Sequence, residues 1–243
     1  MKTDAQEIHA IESASGSGRL DLYNSIHKAL RAWMGHTLTR VGQMDPTDAE
    51  ECRTVAADVN ELLGAMLEHL QTENTWVHPA ILKHYPDALL KIQGDHAAHE
   101  QSIKNLRSMA ASVVSSPASA TASAAQLYAA LAVFVGENLE HMQVEETYNN
   151  QLLWQAYSDA ELLEIHHAIL ASIPPEKMAS VLRWMLPAIS APARAQMLMG
   201  MPAEAFTGIL ALAHARLSSS NWTKLAMALN LPQVAGLVDL SRH

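Results

Sequence analysis

An internal repeat constrains this chain more than any other feature of its sequence. Leu67–Thr75 reads LEHLQTENT and Leu139–Thr147 reads LEHMQVEET, so six of nine positions are identical. The offset between these two segments also relates His27 to His99, and in both halves this histidine precedes a His-x-x-x-Glu motif by the same interval. We infer that a helical hairpin has been duplicated.

Long helices are predicted on both sides of the repeat, because apolar residues recur there at helical spacing. Breaks containing proline, glycine or serine separate these stretches. The predicted helices cover roughly residues 20–43, 48–83, 88–114 and 124–154. Helices of this length with short connections pack antiparallel. The sequence therefore predicts an all-α protein containing an up-down four-helix bundle.

The segments outside the bundle have a different composition. Residues 1–18 end in Ser-Gly-Ser-Gly and are predicted to be a flexible tail, followed by the bundle at 19–157. In residues 158–243 prolines limit helices to roughly 10–15 residues, which indicates a smaller C-terminal helical subdomain. Its methionines are interpreted as adaptable core residues.

Composition excludes several classes of function. Hydrophobic residues make up 49% of the chain and aromatic residues 5%, a balance that favours helices over sheets. The net charge of −9 argues against nucleic acid or an anionic membrane as a partner. Cys52 is the only cysteine, which excludes an internal disulfide and a thiolate metal cage. Without a signal-peptide pattern or a membrane-length apolar run, the expected location is the cytoplasm.

The repeat places pairs of metal-binding side chains on helix faces. His69 and Glu73 are four residues apart, so their side chains lie one turn apart on one face. Burying such groups is costly unless cations pair with them, and imidazole suits Fe, Zn, Cu or Ni while carboxylates can bridge two ions. We therefore predict a two-metal site. Its candidate ligands are His27, His69, Glu73, His99, His141 and Glu145.

Over about residues 20–155 the chain resembles the hemerythrin-like (HHE cation-binding) family, and more narrowly its bacterial members with a helical C-terminal extension. The resemblance is carried by Ile26-His27-Lys28, the His69/Glu73 pair, the segment Asp95-His96-Ala97-Ala98-His99 and the His141/Glu145 pair. It implies two iron ions with an oxo or hydroxo bridge, which Mn or Zn could replace. By resemblance, one iron takes His27 and His69, the other takes His99 and His141, and Glu73 and Glu145 bridge them.

The chain departs from the invertebrate oxygen carriers of that family. Their third helix carries a second ligating histidine four residues after the first, where this chain has Ile103. His96 could be an additional ligand, or it could only orient one. In the fourth helix the carriers have Asp five residues after the ligating histidine, whereas this chain has glutamate both four and five residues after His141, at Glu145 and Glu146. The repeat selects Glu145 as the ligand, because its counterpart in the first half is Glu73.

Two further histidines are predicted to face away from the site. His36 and His78 follow His27 and His69 by nine residues, about half a turn round an α-helix.

The resemblance implies a non-heme di-iron protein that binds O2, NO or peroxide for sensing, carriage or stress response. One alternative is an enzyme, a di-iron oxidase, peroxidase or NO reductase with a redox partner. Another is an iron-handling or regulatory protein whose C-terminal subdomain responds to metal loading. Small-ligand binding is the leading interpretation and the enzyme is the runner-up.

Overall fold

A computed structural model of the chain describes residues 4–15, 18–88, 90–115 and 117–231. Within these residues the protein is all-helical and has no β-strand, as predicted. The chain divides into two compact units. The first comprises Met1–Asn24 and Trp33–Ile173, and the second comprises Ser25–Ala32 and Pro174–His243. No helix in the described ranges is long and apolar enough to cross a membrane.

Long helices interrupted by short π-helical segments dominate the sequence up to residue 173. The α-helices are α1 (Ala5–Ser15), α2 (Asn24–Gln43), α3 (Ala49–Thr72), α4 (His78–His84), α5 (Leu90–Ser115), α6 (Ala120–Val144), α7 (Asn150–Ala156) and α8 (Asp159–Ser172). The π-helical segments are Glu73–Val77, which joins α3 to α4, and Glu145–Asn149, which joins α6 to α7. A 3-10 turn covers Pro117–Ser119.

α3 shows why these residues form long helices. Asp48 is its N-cap, and its carboxylate accepts hydrogen bonds from the backbone N–H groups of Glu50 and Glu51. A stripe of apolar side chains at helical spacing is buried along one face, from Cys52 to Leu70. α5 packs against both α3 and α6.

The last turn of α2 approaches α6 closely. A Cβ atom added to Gly42 would lie 3.0 Å from Cε2 of Tyr128, so this position suits a residue without a side chain.

The predicted N-terminal tail contains a helix over Ala5–Ser15. Asp4 starts it, because its Oδ1 accepts hydrogen bonds from the backbone N–H groups of Gln6 and Glu7 at 2.9 and 3.0 Å. The Glu7 carboxylate accepts the backbone N–H of Asp4 in return, which completes a capping box. No residue of α1 is buried, which is why hydrophobic periodicity gave no indication of it. Residues 1–3, 16 and 17 of the predicted tail lie outside the described residues.

An apolar cluster lies where the π-helical segments lead into α4 and α7. Its buried members are Tyr23, Val77, Ile81, Leu153 and Leu162. Leu162 belongs to α8, which the sequence assigned to the C-terminal extension and which the structure groups with the first unit.

The second unit contains four short helices among the described residues, and the first three have proline at or near their starts. They are α9 (Pro175–Ala188), α10 (Ala191–Met199), α11 (Ala203–Arg216) and α12 (Ser219–Ala228). Arg194 is buried there, and its guanidinium donates to the backbone oxygens of Leu186 and Ile189 at 2.7 and 2.9 Å. Met178, Met185, Met197 and Met201 pack against the apolar core, as interpreted from the sequence, whereas Met199 is 64% exposed.

Candidate metal centre

The repeated histidines and carboxylates lie at corresponding places on two helices. His69 is in the last turn of α3, and Glu73 opens the π-helical segment that follows it. His141 and Glu145 occupy the same places at the end of α6. The side chains of all four are at most 8% exposed.

One four-residue group of potential metal ligands contains Glu73, His96, His141 and Glu145, all of them buried. Nε2 of His96 lies 3.0 Å from Nε2 of His141 and 3.6 Å from Oε2 of Glu73. Oε1 of Glu145 lies 3.8 Å from Nε2 of His96 and 3.3 Å from Nε2 of His141. Atoms that bind one ion at about 2.0–2.2 Å lie about 3–3.6 Å apart, so this group has the spacing of a ligand set.

A second group contains His27, His69, Glu73 and Glu145, again with one ligand atom of each within 4.8 Å of the others. Nε2 of His69 lies 3.2 Å from Oε1 of Glu73. The two groups therefore share both carboxylates and take different histidines.

The two oxygens of Glu73 face different histidines. Oε1 is the atom near His69, whereas Oε2 is the atom near His96 on α5. A carboxylate in this position can give one oxygen to each of two ions. Buried His/Glu groups of this kind can hold metal, and their donor set of imidazole and carboxylate suits first-row transition ions.

The structure places His96, and not His99, in the group with His141. Nδ1 of His96 lies 2.9 Å from Oδ1 of Asn74, a contact that directs Nε2 of the same ring towards the carboxylates. His99 is buried beside the group, with its ring centroid 5.0 Å from that of His141 and 6.0 Å from that of Phe134.

The pKa values of the two neighbouring histidines shift in opposite directions. Burial, helped by the charges of His141 and His96, lowers the pKa of His99 to about 4. Burial also acts to lower the pKa of His141, but its hydrogen bond to Glu145 and the charges of Glu145, Glu73 and Asp95 raise the pKa above its ordinary value. The metal-free group thus favours a proton on the imidazole next to the carboxylate.

The prediction that His78 faces away from the site is wrong. His78 is 2% exposed, and its ring centroid lies 4.7 Å from that of His96. The cause is the π-helical segment, in which the backbone N–H of His78 bonds the carbonyl of Glu73, five residues earlier. One wider turn rotates the following residues back by about 100°, which brings His78 to the side of Glu73.

His36 is exposed, in agreement with its predicted orientation away from the site. Of the two adjacent glutamates on the fourth predicted helix, Glu145 belongs to both groups and Glu146 to neither within the described residues.

Tyr23 is a buried residue near the carboxylates that the sequence patterns did not indicate. Its hydroxyl accepts a hydrogen bond from Nδ2 of Asn149 at 3.2 Å. Burial, together with the charges of Glu145 and Glu73, raises the pKa of Tyr23 well above its ordinary value. The side chain therefore stays a neutral phenol beside the two glutamates.

Comparisons with known proteins identify no relative, since no protein-family model, no curated protein and no solved structure matches this chain.

Proposed function

We propose that this chain is a hemerythrin-like, non-heme di-iron protein that binds O2 or a related small ligand such as NO or peroxide. In this proposal, α2, α3–α4, α5 and α6–α7 form an up-down four-helix bundle around two iron ions. Glu73 and Glu145 bridge the ions, His27 and His69 bind one, and His96 and His141 bind the other. In the cytoplasm, this binding would serve sensing, carriage or a stress response.

The orientation of Glu73 carries the proposal. Its two oxygens lie 3.2 Å from His69 and 3.6 Å from His96, two histidines on different helices. This orientation would let the carboxylate give one oxygen to each of two ions, which supports a two-metal site.

The protein's own residues supply the charge and the enclosure that such ions need. Two buried carboxylates offset part of the charge of two cations, and neutral imidazoles complete each ligand set without adding charge. The contact from Asn74 to His96 fixes the orientation of that ring. The apolar cluster around Val77 and Leu153 packs next to the π-helical segments that begin at Glu73 and Glu145.

The donor count favours binding of a small molecule. Each group offers two imidazoles and two carboxylate oxygens, which is fewer donors than six-coordinate iron accepts. When bound, iron would supply these remaining coordination positions and one-electron redox steps.

A second candidate function is catalysis as an oxidase, peroxidase or NO reductase with a redox partner. The specific observation in its favour is the equal division of histidines, two in each group, which leaves room at both ions. Oxygen carriage instead favours an unequal division with a single open position.

Rapid mixing of the reduced, iron-loaded protein with O2 tests the proposal. We expect an absorption change that reverses when O2 is removed. Continuous consumption of O2 or NO with an added reductant would favour the second candidate. The absence of any spectral response to O2, NO and peroxide in a protein shown to contain iron would contradict small-ligand binding.

A further inference from the structure

The side chain of His78 is buried next to His96. Neither of its ring nitrogens has a hydrogen-bond partner among the described residues. Buried polar atoms are nearly always paired, and an unpaired one lowers stability. A hydrophobic residue would fill this position at the start of α4 without that cost, so the imidazole requires an explanation.

The ring lies against the metal-ligand group without belonging to it. Its plane is tilted by 32° from that of His96, and the two ring centroids are 4.7 Å apart. Neither group of potential ligands within the described residues includes His78. His78 is thus placed to touch something held by the group, and its neutral imidazole has one donor and one acceptor to offer.

The other half of the repeat has a hydrogen-bonding residue at the same position. Asn150 corresponds to His78 at the offset of the repeat, and it too follows a π-helical segment that begins at a site glutamate. It is fully buried, and its Oδ1 has no hydrogen-bond partner among the described residues. In both halves, a π-helical segment is followed by a buried polar side chain, His78 or Asn150, five residues after the site glutamate.

We propose that His78 is a ligand-contacting residue, whose imidazole forms a hydrogen bond to the small molecule bound at the two-metal centre. The inference rests on the function proposed above and adds a specificity-determining residue outside the metal ligands. A small molecule that can accept or donate a hydrogen bond would be retained better than one that cannot.

Azide titration of the iron-loaded, air-oxidised protein tests this role, with the iron content of each sample measured first. His78→Phe keeps a planar aromatic ring but removes both nitrogens, and His78→Gln retains a donor and an acceptor. We expect His78→Phe to keep its iron and to raise the Kd for azide about tenfold, the loss of one hydrogen bond to a charged ligand. His78→Gln should raise the Kd for azide much less. His84→Phe is the matched control, since His84 is exposed on the same helix.

Stability of the metal-free proteins gives an independent readout. Because His78→Phe removes two unpaired buried nitrogens, its Tm without metal should be no lower than that of the wild type. A role confined to packing would instead lower the Tm and leave azide binding unchanged.

Three results would overturn the inference, and they are distinguishable. Iron retained in His78→Phe with an unchanged azide Kd would remove the ligand-contacting role while leaving the proposed function intact. Loss of iron in both His78→Phe and His78→Gln would make His78 a metal ligand instead. A wild-type protein that takes up no iron would remove the proposed function and this inference together.

Discussion

Glu73 and Glu145 are buried carboxylates that a bound cation would stabilise. They are 2% and 0% exposed, and Nε2 of His69 and Nε2 of His141 lie 3.2 and 3.3 Å from their respective oxygens. Burying an ionised carboxylate costs several kcal/mol, and the neighbouring imidazoles offset only part of that cost. A pair of shared cations would offset the remainder.

The first prediction concerns these carboxylates. Glu73→Ala and Glu145→Ala should each weaken metal binding more than about 100-fold, because each removes a ligand that both groups share. Glu68→Ala and Glu140→Ala are matched controls, one residue before the site histidines, and should bind metal as the wild type does. Metal titration of the four variants measures this, and equal losses in all four would contradict the assignment.

The second prediction separates His96 from His99. His96→Ala should weaken metal binding more than about 100-fold, since its Nε2 faces both carboxylates. His99→Ala should weaken metal binding only about tenfold, as expected for a residue that orients a metal ligand without binding the metal. Competition with a chelator of known affinity gives both values, and the reverse order would restore His99 as the ligand.

Sequence spacing could not make that choice. Residues three apart share a helix face, so both histidines satisfy the helical criterion. The offset of the internal repeat points to His99, because it aligns with His27. His96 is favoured because its ring contacts Asn74 on another helical segment. Sequence spacing along one helix cannot reveal a contact between helices.

At the scale of helices, the sequence predicts the long elements well and their internal irregularities poorly. The predicted helix at about 48–83 is observed as the continuous run of α3, a π-helical segment and α4. Hydrophobic periodicity assumes a constant spacing of about 3.6 residues per turn, and a single π turn breaks that assumption for every later residue. The error in the orientation of His78 follows directly from this.

Arg19, in the segment before α2, contacts the end of α7 and the start of α8. Its guanidinium donates to Oδ1 of Asp159 at 2.7 Å and to the backbone oxygens of Trp154 and Tyr157 at 3.1 and 2.8 Å. These bonds satisfy carbonyls at a helix C-terminus, where intrahelical partners run out.

The third prediction uses the pH dependence of this contact. Arg19 holds the pKa of Asp159 below its ordinary value, so the contact stabilises the fold above about pH 4 and is lost as pH falls through the lowered pKa. Asp159→Asn should lower the Tm by about 1–4 °C at pH 7. Thermal melts should show this difference shrinking below about pH 4.

The control for Asp159→Asn is Glu50→Gln, which removes an exposed pair with Arg53 within one helix and should change the Tm little. A difference between Asp159→Asn and wild type that is as large at pH 3 as at pH 7 would contradict the pairing.

At the scale of the whole molecule, composition predicted the short helices and the methionine packing of the C-terminal region. The proline spacing beyond residue 173 gives short helices, and most methionines of that region lie against its core. The position of the boundary after Ile173 could not be predicted from the sequence, because the turn at Ser158 looks like a domain boundary. It is the burial of Leu162 against Val77, Ile81 and Leu153 that groups α8 with the first unit.

The metal content of the purified protein tests the central claim most directly. Protein expressed in iron-replete cells and analysed by mass spectrometry of its metals should contain two ions per chain, chiefly iron, because two ligand groups share their carboxylates. Removing the metal should also lower the Tm, since the buried ligands lose the cations that pair with them. A fully loaded protein with one ion per chain, or a native protein with none, would contradict the account.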